Sequence, residues 1–185
     1  MNQFFVSVGP SLADKLPQSS KSFESYLRGG PTESFYINPT CSDEVREIMD
    51  SFSTSKCPDP HKISPKHYKL GTAALAIISP PLINKCFLQG YFPNCLKIAI
   101  VTPIFKGGDT VNKGDWRPIS ILSCTAKLIE KLVKKRLPSF LNKHNILSIY
   151  QFVYRSKHST THAILNISDN ILNNLDNKNI QLQYF

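Results

Sequence analysis

Two cations stand where the backbone could come close to a phosphate. Lys106 ends an apolar run and is followed by Gly107 and Gly108, whose missing side chains let the main chain approach a ligand beside a mobile ammonium. Arg117 precedes Pro118, which biases its backbone away from helix, and its planar fork suits triphosphate or backbone oxygens. The plainer alternative is a surface lysine in a turn and an arginine paired with Asp115. His158 and His162 have the i, i+4 spacing of two metal ligands on a helix, with no third ligand in sight. Asp109 and Asp115 lie in turn-forming stretches, where Asp bonds to nearby backbone. A two-metal phosphoryl-transfer site needs convergent carboxylates, and no such pair is legible. The patterns G-x-x-x-x-G-K, G-x-S-x-G and H-E-x-x-H do not occur, so phosphate-loop, serine-hydrolase and zinc-protease chemistry have no support. The five cysteines, at 41, 57, 86, 95 and 124, include no CxxC pair; they read as free thiols in a reducing compartment.

Both cations belong to a wider pattern. The chain has 185 residues and a net charge of +9, and residues 97–158 hold twelve Lys and Arg against three acids. One third of the chain therefore carries the whole surplus. Such segregation points to a polyanion partner, although Lys127–Arg136 alone also reads as the solvated face of an amphipathic helix. A composition of 41% hydrophobic and 10% aromatic residues excludes a wholly disordered chain. The longest apolar run, Thr72–Ser79, is too short to cross a bilayer and meets Pro80 and Pro81. Residues 1–10 do not read as a secretory signal, so no membrane partner and an intracellular location, cytoplasm or nucleus, are expected.

These residues must be positioned by a mixed, mostly helical architecture. Phe4, Phe5, Val8, Leu12 and Leu16 suggest two short helical pieces parted by Gly9 and Pro10, and residues 17–40 read as a Ser/Gly/Pro-rich linker with a short helix near Phe23–Leu27. Thr40 and Asp43 form a capping signal for a helix over 42–53, with Val45, Ile48, Met49 and Phe52 as its apolar stripe. Three prolines make 57–65 a loop, and a helical region over 65–90 is expected to break at Pro80 and Pro81. Ile98–Val101 reads as a buried strand ending at the two glycines, and 117–122 as extended. A basic amphipathic helix follows over 124–137, with Glu130 and Lys134 spaced for an ion pair, and Pro138 ends it or starts a short successor carrying Phe140 and Leu141. Residues 151–154 read as extended, and a last helix spans 159–175. The expected division is 1–40, an extension and linker; 41–96, a helical region; and 97–185, the basic part.

Four segments in order carry a resemblance: PIFKGGD (103–109), DWRPISILS (115–123), KLIEKLVKKRL (127–137) and ILSIYQFVYRSKHSTTHAIL (146–165). Together they resemble the reverse transcriptases of non-LTR (LINE-type, jockey-like) retrotransposons, with P-x-F-K-x-G-D, N-Y-R-P-I-S-L-L, K-x-x-E-x-x-x-x-x-R-L and Q-F-G-F-R-x-x-H-S-T-x-H-A. Upstream segments resemble what precedes these motifs in the family, so the likeness covers nearly the whole chain. It implies an α+β, mostly helical, partial right-hand polymerase: the fingers and the start of the palm. It also implies that Lys106 and Arg117 clasp the incoming deoxynucleotide, and that Gln151, Phe152 and Arg155 support the template. RNA template, RNA/DNA hybrid and deoxynucleotides are the implied partners. Mg²⁺ is implied for the full-length family enzyme, with no cofactor in this stretch. The family's metal-binding aspartates, in D-L-x-x-A-F-D and Y-x-D-D, lie beyond the position of Phe185, so these 185 residues are expected to lack polymerase activity and the rest of the polymerase. Two departures stand out. Val153 replaces the glycine of Q-F-G-F, where a β-branched residue resists a positive φ. KCPDPHKIS (56–64) replaces K-S-x-G-x-D-G-I and keeps neither glycine. A basic nucleic-acid-binding module without chemistry, and a degenerate helical interaction protein, remain the other readings.

Overall fold

The apolar stripe of residues 45–52 finds its partners far along the chain, and that meeting makes the core. A computed structural model describes residues 1–17, 21, 22, 25, 33–54 and 58–176. Its helices are α1 (Asn2–Ala13), α2 (Ser42–Asp50), α3 (Pro65–Leu70), α4 (Thr72–Leu88), α5 (Cys124–Lys143) and α6 (Thr160–Asp176), with strands β1 (Ala99–Phe105) and β2 (Trp116–Leu122) between α4 and α5. Val45, Ile48, Met49 and Phe52 pack with Ala76 and Ile83 of α4 and with Cys124, Leu128, Ile129 and Leu132 of α5. Each large aliphatic side chain fully buried there contributes about 1.5–3 kcal/mol. The architecture is mostly helical α+β, as expected, with a single two-stranded antiparallel sheet among the described residues. The expected short helix near Phe23–Leu27 (Ser25 apart), Cys57 at the start of the expected loop, and residues 177–185 lie outside the described residues.

Proline reading misplaces three boundaries. Pro80 and Pro81 lie inside α4, and the break falls at Gly71 instead. Each proline removes a bond to the carbonyl four residues back, but Pro80 is buried and Ala76 and Ile83 fasten the helix to the core on either side. Helix α1 runs through Pro10 as one piece, and α5 continues through Pro138 to Lys143. The start of α2 also differs from the capping signal. Cys41 is the cap residue, while the Thr40 hydroxyl donates to Glu44 (2.7 Å) and the Thr40 amide to Asn84 Oδ1 (2.7 Å). The Asn84 side chain returns a bond to the Thr40 carbonyl (2.9 Å), so α4 holds the entry to α2.

Strand β1 is not the buried strand its apolar run suggests, because both strands are exposed over most of their length. Residues 151–154 form no strand: 153 and 154 are a turn, and 151 and 152 have no regular structure. The loop before α3 is organised by Asp59, which is 2% exposed. Its carboxylate accepts the amides of His61 (2.9 Å), Ile63 (3.0 Å) and Cys124 (3.4 Å), tying the loop to the first turn of α5. Lys62 has φ +63°, at the position of the second family glycine; there a side chain costs about 1 kcal/mol that glycine would not.

The chain divides into two compact units, Met1–Ser139 and Phe140–Phe185. The first holds the core. In the second, no residue of 140–176 is buried, and α6 exposes Ile164, Leu165, Ile171, Leu172 and Leu175.

Candidate nucleic-acid interface

The hairpin is in register from Ala99 opposite Leu122 to Phe105 opposite Trp116. The Lys106 amide donates to the Asp115 carbonyl at 3.0 Å, which adds one rung. Because strand side chains alternate and directly opposed residues share a face, Ile104 and Lys106 fall on the same face as Asp115 and Arg117. Phe105 and Trp116 occupy the other face, their ring centroids 5.2 Å apart. Pro103 opposes Pro118, three rungs from the Lys106–Asp115 bond, and so at a level where neither strand would donate to the other. The prolines therefore cost the ladder nothing and remove one outward donor from each edge, which discourages a third strand.

The turn between the strands uses both carboxylates internally. Asp115 accepts the Asp109 amide (3.1 Å) and the Asn112 side chain (3.0 Å), and Asp109 accepts the Val111 amide (2.9 Å). Gly108 has φ +104°, and a Cβ there would stand 2.7 Å from the Asp115 carboxylate, so the turn closes only with glycine. Asp115 is thus committed to the turn, and its pairing with Arg117 does not form. Lys106 and Arg117 are both exposed, and among the described residues neither side chain has a hydrogen bond or ion pair. Two unneutralised cations on one face of a ribbon can meet an anion without first breaking a contact.

The proposed template residues fall together in the second unit. Arg155 Nη1 and the Gln151 amide both donate to the Ser148 carbonyl at 3.1 Å, and Phe152 lies against His158 with ring centroids 5.9 Å apart. Val153 escapes the conformation that a family glycine would permit; the positive φ, +57°, falls on the fully exposed Tyr154. The His158 and His162 rings are 6.5 Å apart. Their Nδ1 atoms face the Ser156 carbonyl (2.9 Å) and the Ser159 hydroxyl (3.3 Å). Among the described residues no three His, Cys, Asp or Glu side chains converge as a metal site would require.

Part of the basic surplus is structural, which sequence reading missed. Arg136 donates to Glu44 through Nη1 (3.1 Å) and Nη2 (2.8 Å), and to the carbonyls of Asn38 (2.7 Å), Pro39 (3.0 Å) and Leu132 (2.9 Å). Lys135 pairs with Glu47 at 2.7 Å. Burial alone would raise the Glu44 carboxyl, but hydrogen bonds from Arg136 and Thr40 and the charges of Arg136 and Lys135 outweigh it and hold it below its ordinary value. Glu130 and Lys134 do not form the ion pair their spacing suggested. Burial raises the Cys124 thiol, with Lys127 opposing and Asp59 reinforcing the shift. Burial also raises Tyr68, against its 2.9 Å bond with Thr125. No local pattern marks Arg136, whose carboxylate partner lies 92 residues away.

No protein-family model matches the chain. Among curated proteins, it is 31% identical over 144 residues to the probable RNA-directed DNA polymerase from transposon BS of Drosophila melanogaster, covering 77% of this chain and 16% of that protein. It is 24% identical over 156 residues to the RNA-directed DNA polymerase from mobile element jockey of the same fly, covering 84% and 17%. It is 30% identical over 123 residues to the retrovirus-related Pol polyprotein from type-1 retrotransposable element R1 of Bradysia coprophila, covering 65% and 12%. The chain spans about one sixth of the length of the first two. Along three quarters of its own length, this chain is a sequence relative of the RNA-directed DNA polymerases of non-LTR retrotransposons.

Proposed function

We propose that this chain is the substrate-gripping part of an RNA-directed DNA polymerase, comprising the fingers and the entrance to the palm. The observation that carries the reading is the hairpin face, where Lys106 and Arg117 lie exposed and without partners beside the Gly107–Gly108 turn. A triphosphate meets an ammonium and a guanidinium there, and the fork of Arg117 can hold two oxygens at once. Gln151, Phe152 and Arg155 support the template strand, with Arg155 fixing the turn through Ser148. The polymerase-like part is 97–185, preceded by the helical region 41–96 and the extension and linker 1–40. RNA template, RNA/DNA hybrid and deoxynucleotides are the partners.

Mg²⁺ would supply charge neutralisation and alignment of the reacting oxygens in the full-length enzyme. The carboxylates of Asp109 and Asp115 are spent on the turn, so the described residues do not fit the ion, and these 185 residues alone hold substrates without joining them. Titration of the chain with a deoxynucleoside triphosphate tests the reading. Saturable binding that Lys106→Ala/Arg117→Ala weakens at least tenfold is expected, with no primer extension in Mg²⁺ or Mn²⁺. Binding unchanged in that variant, or template-dependent extension by the chain alone, would overturn it.

A further inference from the structure

A second basic site lies away from the hairpin. A cleft of about 340 Å³ opens between the end of α2 and the first half of α5, lined by Ser51, Phe52, Ser53, Lys127, Lys131 and Lys134, with Glu130 also on its wall. The lysines sit at i, i+4 and i+7, so they form one stripe along α5 about 10 Å long at 1.5 Å per residue. Lys131 braces the floor: its ammonium donates to the Ser51 hydroxyl (2.8 Å) and stands 4.8 Å from the centroid of the buried Phe52 ring. Lys127 and Lys134 flank it with no hydrogen bond or ion pair among the described residues. Lys135 and Arg136, one step around the helix, are already bound to α2.

We propose that this cleft is a path for the phosphate backbone of a nucleic-acid strand, with Lys127 and Lys134 contacting separate phosphates on either side of Lys131. The stripe is long enough to meet more than one phosphate of a strand, whose charges recur about every 3.4 Å along a duplex axis. Its surplus over Glu130 is two positive charges. A lysine stripe without base-reading groups gives affinity that depends on salt and not on sequence. The proposal takes its kind of partner from the proposed function but uses none of the same residues.

The test is binding of a labelled single-stranded RNA to the whole chain across a salt series. Lys127→Gln/Lys134→Gln is expected to reduce the slope of log affinity against log salt by about 1.4, since each phosphate contact to a single strand contributes about 0.7. Glu130→Gln is expected to tighten binding severalfold, and Lys85→Gln, an exposed lysine on α4, to change nothing. The outcomes that overturn the cleft are a slope in Lys127→Gln/Lys134→Gln equal to that of Lys85→Gln, no RNA binding by the unaltered chain, or equal competition by polyglutamate. Lys106→Ala/Arg117→Ala separates the two readings. If it leaves deoxynucleotide binding intact while the lysine variant flattens the salt slope, the hairpin reading fails and the cleft stands.

Discussion

The cations of α5 and those of the hairpin look alike in the sequence and are used differently. Arg136 has its donors distributed over a carboxylate and three carbonyls, in a pair whose side chains are only 12% and 20% exposed. Lys106 and Arg117 are exposed on a ribbon face and bind nothing described. A desolvated, fully bonded guanidinium holds the fold together, while an exposed unpaired one contributes little to stability and stays available to an anion. The net charge of +9 therefore overstates what is free to meet a polyanion.

Truncating Arg136 is the strongest way to break this contrast. Arg136→Ala should lower unfolding free energy by about 2–3 kcal/mol in urea denaturation, because it strands the Glu44 carboxylate and the carbonyls before α2; a loss below about 0.5 kcal/mol would return Arg136 to the surface charges. The same contact should appear in acid. With the folded Glu44 held below its ordinary value of 4.5, the unfolded chain takes up the proton first. Its contribution is present above about pH 4.5 and fades as pH falls through the lowered folded value. Arg136→Ala should flatten that part of a stability–pH curve. Lys62 tests a cation restrained by its own backbone: Lys62→Gly should raise stability by about 1 kcal/mol, a Tm gain of roughly 2–4 °C. Lys106→Ala/Arg117→Ala marks the other end, changing stability by less than about 0.5 kcal/mol. A larger loss would mean the hairpin cations hold the fold too.

Cysteine reactivity adds a smaller check. Cys124 is buried with its thiol raised, whereas Cys41 and Cys95 are exposed. Alkylation near pH 8 should modify both exposed thiols well before Cys124. Equal rates would show that the first turn of α5 opens readily.

Local signals found the elements that depend on neighbours within one or two turns. The stripes of α2 and α5, the extended segment of β2 and the last helix all follow from spacing and lie close to where the chain predicts them. Prolines misled because their local cost is outweighed by packing: Pro80 sits buried within α4, whose Ala76 and Ile83 join core residues of α2 and α5. The apolar run of β1 suggested burial, yet a two-stranded ribbon leaves most of both strands exposed. At the candidate site, the residue types and the glycine turn were legible. The shared face of Lys106 and Arg117 was not, because it depends on a pairing register that aligns residue 104 with 117.

The sequence by itself determined the helical periodicities, the concentration of charge in residues 97–158 and the ordered motifs that tie the chain to non-LTR retrotransposon polymerases. Each is a property of residue identity and spacing along the chain. Only the tertiary structure decided which cations are spent, through contacts such as Arg136 with Glu44 across 92 residues, and which backbone positions, such as Lys62 and Tyr154, take a left-handed conformation. Those outcomes depend on where distant segments come to rest, and folding selects that arrangement for the burial of the common core.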